Sequence, residues 1–133
     1  MPYRVLVVDD NEDYARVIRR ILMGASFEVV TVENPKLARA ELKKGLPDVI
    51  VLDNAMPEEN GIEFCEWLKR AKRTRAVPVC IVSAHPEMTV FLRESPYGPD
   101  AVLAKPFDVT DFVGTVKRLA MVSDGSRSEE VRR

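Results

Sequence analysis

Five side chains in this sequence are of types that act together on phosphorus: the adjacent carboxylates Asp9 and Asp10, a third carboxylate at Asp53, the hydroxyl of Ser83 and the ammonium of Lys105. Three carboxylates in one pocket repel one another, and one of them should hold a proton unless a cation neutralises the group. Hard oxygen ligands with neither thiolate nor imidazole favour magnesium, which keeps several waters and takes one or two protein carboxylates plus phosphate oxygens. A carboxylate beside such an ion can attack phosphorus and form an aspartyl-phosphate. The metal and Lys105 would then hold the transferring oxygens, and Ser83 would donate a hydrogen bond to one of them. Position and charge are what phosphoryl transfer asks of a protein. Taken singly, each residue has a plainer use. Asp-Asp before a helix is a cap, Asp53 a turn-former, Ser83 a cap, and Lys105 a solvated charge on an apolar stem. Only convergence on one edge makes them a site.

Five short, mostly continuous apolar runs supply that edge: Arg4–Asp9, Phe27–Val32, Asp48–Asp53, Val77–Ser83 and Ala101–Lys105. Strands covered on both faces read this way, as in a parallel sheet flanked by helices. Helical patterns fill the gaps. From Asp13 to Met23, Ala15, Ile18, Ile21 and Leu22 keep helical spacing and Gly24 closes the segment. Asn34-Pro35 opens a second helix that stops at Gly45, and Ile62, Cys65 and Leu68 stripe a third over Gly61–Lys72. A short fourth is expected over Pro86–Glu94, and a fifth over Val109–Val122, capped by Asp108 or Thr110. Five alternations with short connections and right-handed crossovers predict an open, doubly wound α/β sheet. Such sheets bind ligands beyond the carboxyl ends of their strands, where strand order reverses. Asp9, Asp10, Asp53, Ser83 and Lys105 all fall at strand ends.

The 133 residues fit one domain over 1–122, with the polar stretch 123–133 read as a frayed tail or the start of a linker. Lys and Arg number 20 against 21 Asp and Glu, so no basic excess draws the chain to nucleic acid or anionic membrane. No apolar run approaches the roughly 20 residues of a membrane span, and the N-terminal run is too short for a signal-peptide core. Cytoplasmic location is the expectation. Cys65 and Cys80 are expected as buried, reduced thiols, His85 as an exposed loop residue, and Trp67 as half exposed.

Val7-Val8-Asp9-Asp10-Asn11, Val51-Leu52-Asp53-Asn54-Ala55-Met56-Pro57 with Gly61, Val82-Ser83-Ala84 and Lys105-Pro106-Phe107 together resemble the bacterial response-regulator receiver domain across about residues 3–122. The resemblance implies a five-stranded sheet in the flavodoxin-like order 2-1-3-4-5 with five helices on its two faces. It implies Asp53 as phosphoacceptor and a magnesium ion held by Asp10, by Asp53 and by the backbone carbonyl of Ala55, with Asp9 holding metal-bound water. Ser83 stands as the hydroxyl switch, Ala84 as the small residue after it, and Lys105 as the cation before a cis bond to Pro106. A histidine kinase or phosphotransfer protein is implied as donor, and a downstream protein or effector domain as recipient of the signal. No nucleic-acid or membrane contact is expected of this chain alone, and no enzymatic activity beyond self-phosphorylation and self-dephosphorylation.

Two features depart from the pattern. Receivers often carry Tyr or Phe three residues before the lysine, and Val102 has no ring to relocate when the hydroxyl switch moves. Pro96 and Pro99 stiffen the segment before the fifth strand. The outer face is therefore expected to signal through smaller shifts or to bind partners in a nearly preset shape. Two competing readings are a receiver-shaped scaffold that works unphosphorylated, and a phosphohydrolase of the haloacid-dehalogenase type. The second needs an Asp where Ala55 stands.

Overall fold

The computed structural model describes residues 2–86 and 95–132. Strand and helix alternate as β1 (Arg4–Val8), α1 (Glu12–Gly24), β2 (Glu28–Val32), α2 (Pro35–Lys44), β3 (Val49–Asp53), α3 (Gly61–Arg70), β4 (Val79–Ser83), β5 (Ala101–Ala104) and α4 (Val109–Arg132). The five strands are all parallel, in the order β2-β1-β3-β4-β5.

The continuous apolar strands have a direct cause. Successive side chains leave a strand on opposite faces, and here both faces are covered. Val5, Val7, Val49, Val51, Cys80 and Val82 meet Ile18 and Leu22 of α1 and Phe112 and Val116 of α4. Leu6, Val8, Ile50, Leu52, Val79 and Ile81 meet Ala38 and Leu42 of α2 and Phe64, Cys65 and Leu68 of α3. Each fully buried aliphatic or aromatic side chain contributes about 1.5–3 kcal/mol, and these two layers hold the sheet between the helix pairs. Both cysteines are free and buried, and burial pushes each thiol up to about 12.

Local signals set the helix ends. Asn11 caps α1 by accepting from the Tyr14 backbone N–H, and Asn34 caps α2 with Pro35 in its first turn. At α3, Asn60 and Glu63 exchange side-chain and backbone bonds in a capping box. Asp108 accepts from Asp111 N–H at the start of α4, one of the two caps, Asp108 or Thr110, that the sequence offered.

One expected helix falls outside the described residues, and the end of another is corrected. Four helices are present among the described residues, not five, because the expected Pro86–Glu94 helix lies almost wholly outside them. The last helix runs to Arg132, where sequence ended it at about Val122 and read 123–133 as a frayed tail or the start of a linker. That stretch has no proline, and a lone Gly125 costs only about 1 kcal/mol relative to alanine, so nothing in it forces a stop.

Strand order reverses between β1 and β3, which opens a crevice at their carboxyl ends. The register sets Asp53 opposite Val82 and Ser83 opposite Ala104, so three neighbouring strands end level with one another.

Candidate functional site

The crevice brings Asp9, Asp10 and Asp53 together, with one oxygen from each lying within 4.8 Å of the others. Asp9 follows β1 directly and stays tied to the sheet by its N–H, which donates to the Val32 carbonyl at 3.0 Å. Asp53 is the last residue of β3, and both it and Asp9 are buried, while Asp10 is exposed. Alternation along β3 puts Asp53 on the same side as Val49 and Val51, toward α1 and α4.

Lys105 sits one residue past β5, anchored by its N–H to the Ser83 carbonyl at 2.9 Å. Its Nζ donates to Asp53 Oδ1 at 2.9 Å, with the lysine side chain 21% exposed and that of Asp53 7%. The peptide bond to Pro106 is cis, as the resemblance implied. Ser83 is buried at the end of β4, and its Oγ accepts from His85 N–H at 3.0 Å. That leaves the hydroxyl proton available to another acceptor. His85 and Ala84 are exposed at the pocket mouth.

The loop from β3 to α3 carries Ala55, which is exposed between the Asn54 carbonyl and buried Met56. Several ties hold it. The Asn54 carbonyl accepts from Met56 and Gly61 N–H, both at 3.1 Å. Arg39 of α2 grips Glu59 with two 2.8 Å bonds, and its guanidinium lies 4.3 Å from the Trp67 ring centroid. Trp67 is 41% exposed, as its place off the apolar stripe suggested. Gly61 is required by close approach: a Cβ there would meet the Asp53 carbonyl oxygen at 2.6 Å.

The electrostatics are those of a carboxylate cluster short of positive charge. Asp9 is pushed up to about 6, first by burial and then by the charges of Asp53 and Asp10, against the opposing pull of the Asn11 N–H and Lys105. Asp9 Oδ1 accepts from Asn11 N–H at 2.9 Å, whereas its Oδ2 is buried with no hydrogen-bond partner. A buried carboxylate oxygen left unpaired is costly unless something else neutralises it. These hard oxygen donors fit a divalent cation such as magnesium.

Sequence reasoning missed one residue here. The ring of Tyr14, in the first turn of α1, lies under the Lys105 ammonium, with Nζ 4.0 Å from its centroid. Phe107 meets that ring edge-on at 6.0 Å and stacks on Phe112 at 4.6 Å. Burial, with Asp9 and Asp53 nearby, raises the Tyr14 phenol above its ordinary value. The available signal was spacing: Tyr14 lies four residues before Ile18, on the inward face of α1.

Comparison with known proteins places this geometry. The sequence profile of the response regulator receiver domain matches residues 5–117. The chain is 31% identical to the polar-differentiation response regulator DivK of Brucella anthropi, over 88% of this chain and 95% of DivK. It is also 31% identical to the phosphate regulon transcriptional regulatory protein PhoB of Escherichia coli, over 98% of this chain but 57% of PhoB. Among solved structures, the signal receiver domain of a signal transduction histidine kinase from Syntrophus aciditrophicus superposes with a TM-score of 0.80 at 30% identity, covering 90% of each chain. The chemotaxis response regulator CheY4 of Vibrio cholerae gives a TM-score of 0.80 at 26% identity, over 90% of this chain and 99% of CheY4. With the sheet order, the acidic crevice and the lysine opposite it already established, the match over most of its length means that this chain belongs to the response regulator receiver domain family of two-component signalling.

Proposed function

We propose that Asp53 is the phosphoacceptor of this receiver and that Asp9, Asp10, Asp53 and the Ala55 carbonyl hold a magnesium ion for the transfer. The observation that carries this reading is the buried, unpaired Asp9 Oδ2 within a three-carboxylate cluster whose nearest cation, Lys105, is already bonded to Asp53. Bound magnesium would neutralise the cluster and polarise phosphoryl oxygens.

The chain's own groups do the rest. An Asp53 carboxylate oxygen attacks the phosphorus of a phosphohistidine on a kinase or phosphotransfer protein, the phosphorus–nitrogen bond breaks, and its electron pair leaves with the imidazole. Lys105 moves its hydrogen bond from Asp53 to a phosphoryl oxygen as charge shifts there. The Ser83 hydroxyl, whose oxygen already accepts from His85 N–H, donates its proton toward another phosphoryl oxygen. Ala84 leaves room beside it. Hydrolysis of the aspartyl-phosphate resets the chain, so its chemistry is confined to itself. The phosphorylated form changes its affinity for a downstream protein or effector domain, and the work takes place in the cytoplasm. The receiver unit is read as residues 1–122, with 123–133 as a polar tail or the start of a linker.

Magnesium with beryllofluoride, a mimic of the phosphoryl group, should raise the thermal midpoint of the wild type and leave Asp53→Ala unmoved. Equal shifts in both proteins would place the ligand elsewhere and refute the assignment.

A further inference from the structure

We infer that Tyr14 is a positioning residue whose ring face holds the Lys105 ammonium over Asp53, so that the rate of phosphoryl transfer depends on the electron density of that ring. The inference rests on the assignment of Lys105 and Asp53 above and adds to it a residue from a different element.

The geometry links the two sides of the crevice. Asp9 Oδ1 accepts from Asn11 N–H, and Asn11 Oδ1 in turn accepts from Tyr14 N–H, each at 2.9 Å. The cap that starts α1 therefore also fixes Tyr14 relative to the acidic cluster. The Tyr14 ring lies 4.0 Å from Lys105 Nζ, and Nζ is 2.9 Å from Asp53 Oδ1. Phe107 holds the ring from its edge, at an interplanar angle of 86°, and Phe112, fully buried, backs Phe107.

A lysine has four rotatable side-chain bonds and loses considerable freedom when it is fixed. An aromatic face attracts the ammonium without competing for its donors, because the attraction is to the ring quadrupole. The Nζ protons thus remain free for Asp53 and then for the phosphoryl oxygens. A carboxylate in the same place would bind the ammonium away from its task, and an aliphatic side chain would leave it unheld. Partial removal from water strengthens the attraction over that at an exposed site.

The test is the rate of acetyl-phosphate phosphorylation at saturating magnesium, followed by intact mass. Tyr14→Leu should slow it by about fivefold, and Tyr14→Phe should stay within about twofold of wild type. Incorporating 3,4,5-trifluorophenylalanine at position 14 keeps the ring's shape but weakens its negative face, so it should be slow like leucine. In a Lys105→Ala background the Tyr14→Leu effect should vanish, because the ring acts through that ammonium. A trifluorinated ring as fast as Phe overturns the inference even if the leucine variant folds poorly. So does an undiminished leucine effect without Lys105. Should wild type take up no phosphoryl group, the assignment of Asp53 falls and the inference with it. Normal wild-type uptake with a flat aromatic series sinks the inference alone.

Discussion

Asp9 shows how a single side chain ties the site's chemistry to the stability of the chain. Its carboxyl is pushed up to about 6 in the folded protein against the ordinary 3.8, chiefly by burial. Below about pH 4 it is protonated in both folded and unfolded chains and costs nothing. As pH rises toward 6 the unfolded chain releases the proton more readily, so folding stability falls. Above that the full penalty stands. In metal-free buffer, Asp9→Asn should therefore have a higher thermal midpoint than wild type at pH 7, with the gap closing toward pH 4. Saturating magnesium should reverse that order at pH 7, since asparagine removes a charge the cation needs. Midpoints measured across this range with and without magnesium check both statements. An Asn variant no more stable than wild type at pH 7 without metal would contradict the first. The chemically distinctive residues were legible because their types are few: an Asp pair, an Asp, a Ser and a Lys, each closing an apolar run. Tyr14 was not, because an aromatic on the inner face of a helix reads as core until the lysine above it is placed by another strand.

At the scale of elements, the β3–α3 connection sets where Asp53 and Ala55 lie. Gly61 lets α3 begin against the backbone of Asp53, and an added methyl would sit 2.6 Å from the Asp53 carbonyl oxygen and 3.0 Å from Asn54 Cα. Both are backbone atoms and cannot swing aside. Gly61→Ala should cost about 1–3 kcal/mol in urea denaturation and weaken magnesium binding at the same time. A loss of stability with unchanged magnesium affinity would separate the turn from the site. The strands were readable because continuous apolar runs mark strands covered on both faces, and their ends agree with expectation within two residues. The caps at Asn34 and Asp108 were readable too, from chemistry local to a few residues. The Arg39–Glu59 bond was not, because it joins α2 to a loop twenty residues on, and pairing at that range depends on the packing of α2 beside α3. The extent of α4 was missed for a different reason: a polar sequence signals exposure, and exposure does not by itself end a helix.

For the molecule as a whole, two apolar layers grip one sheet, and the edge that carries the acidic cluster depends on both. Phe112 belongs to the layer under α1 and α4 and also backs Phe107 beside the site. Phe112→Ala should lower stability by about 3–5 kcal/mol, a large share of the 5–15 kcal/mol typical of a domain, as read from the urea midpoint. A loss under 1 kcal/mol would mean that this layer is not close-packed. Crossover handedness pointed to an open, doubly wound sheet, and the resemblance to receivers implied its strand order, which places the crevice between β1 and β3. How the face bearing β5 and α4 signals was not, since half-buried Val102 provides no aromatic ring to move. The central claim is a covalent one, and it is tested most directly by incubating the chain with magnesium and acetyl phosphate and locating any acid-labile phosphoryl group by mass spectrometry. The account predicts one phosphoryl group, on Asp53, absent from Asp53→Asn and lost when magnesium is chelated. No mass gain, or a gain that survives in Asp53→Asn, would contradict it.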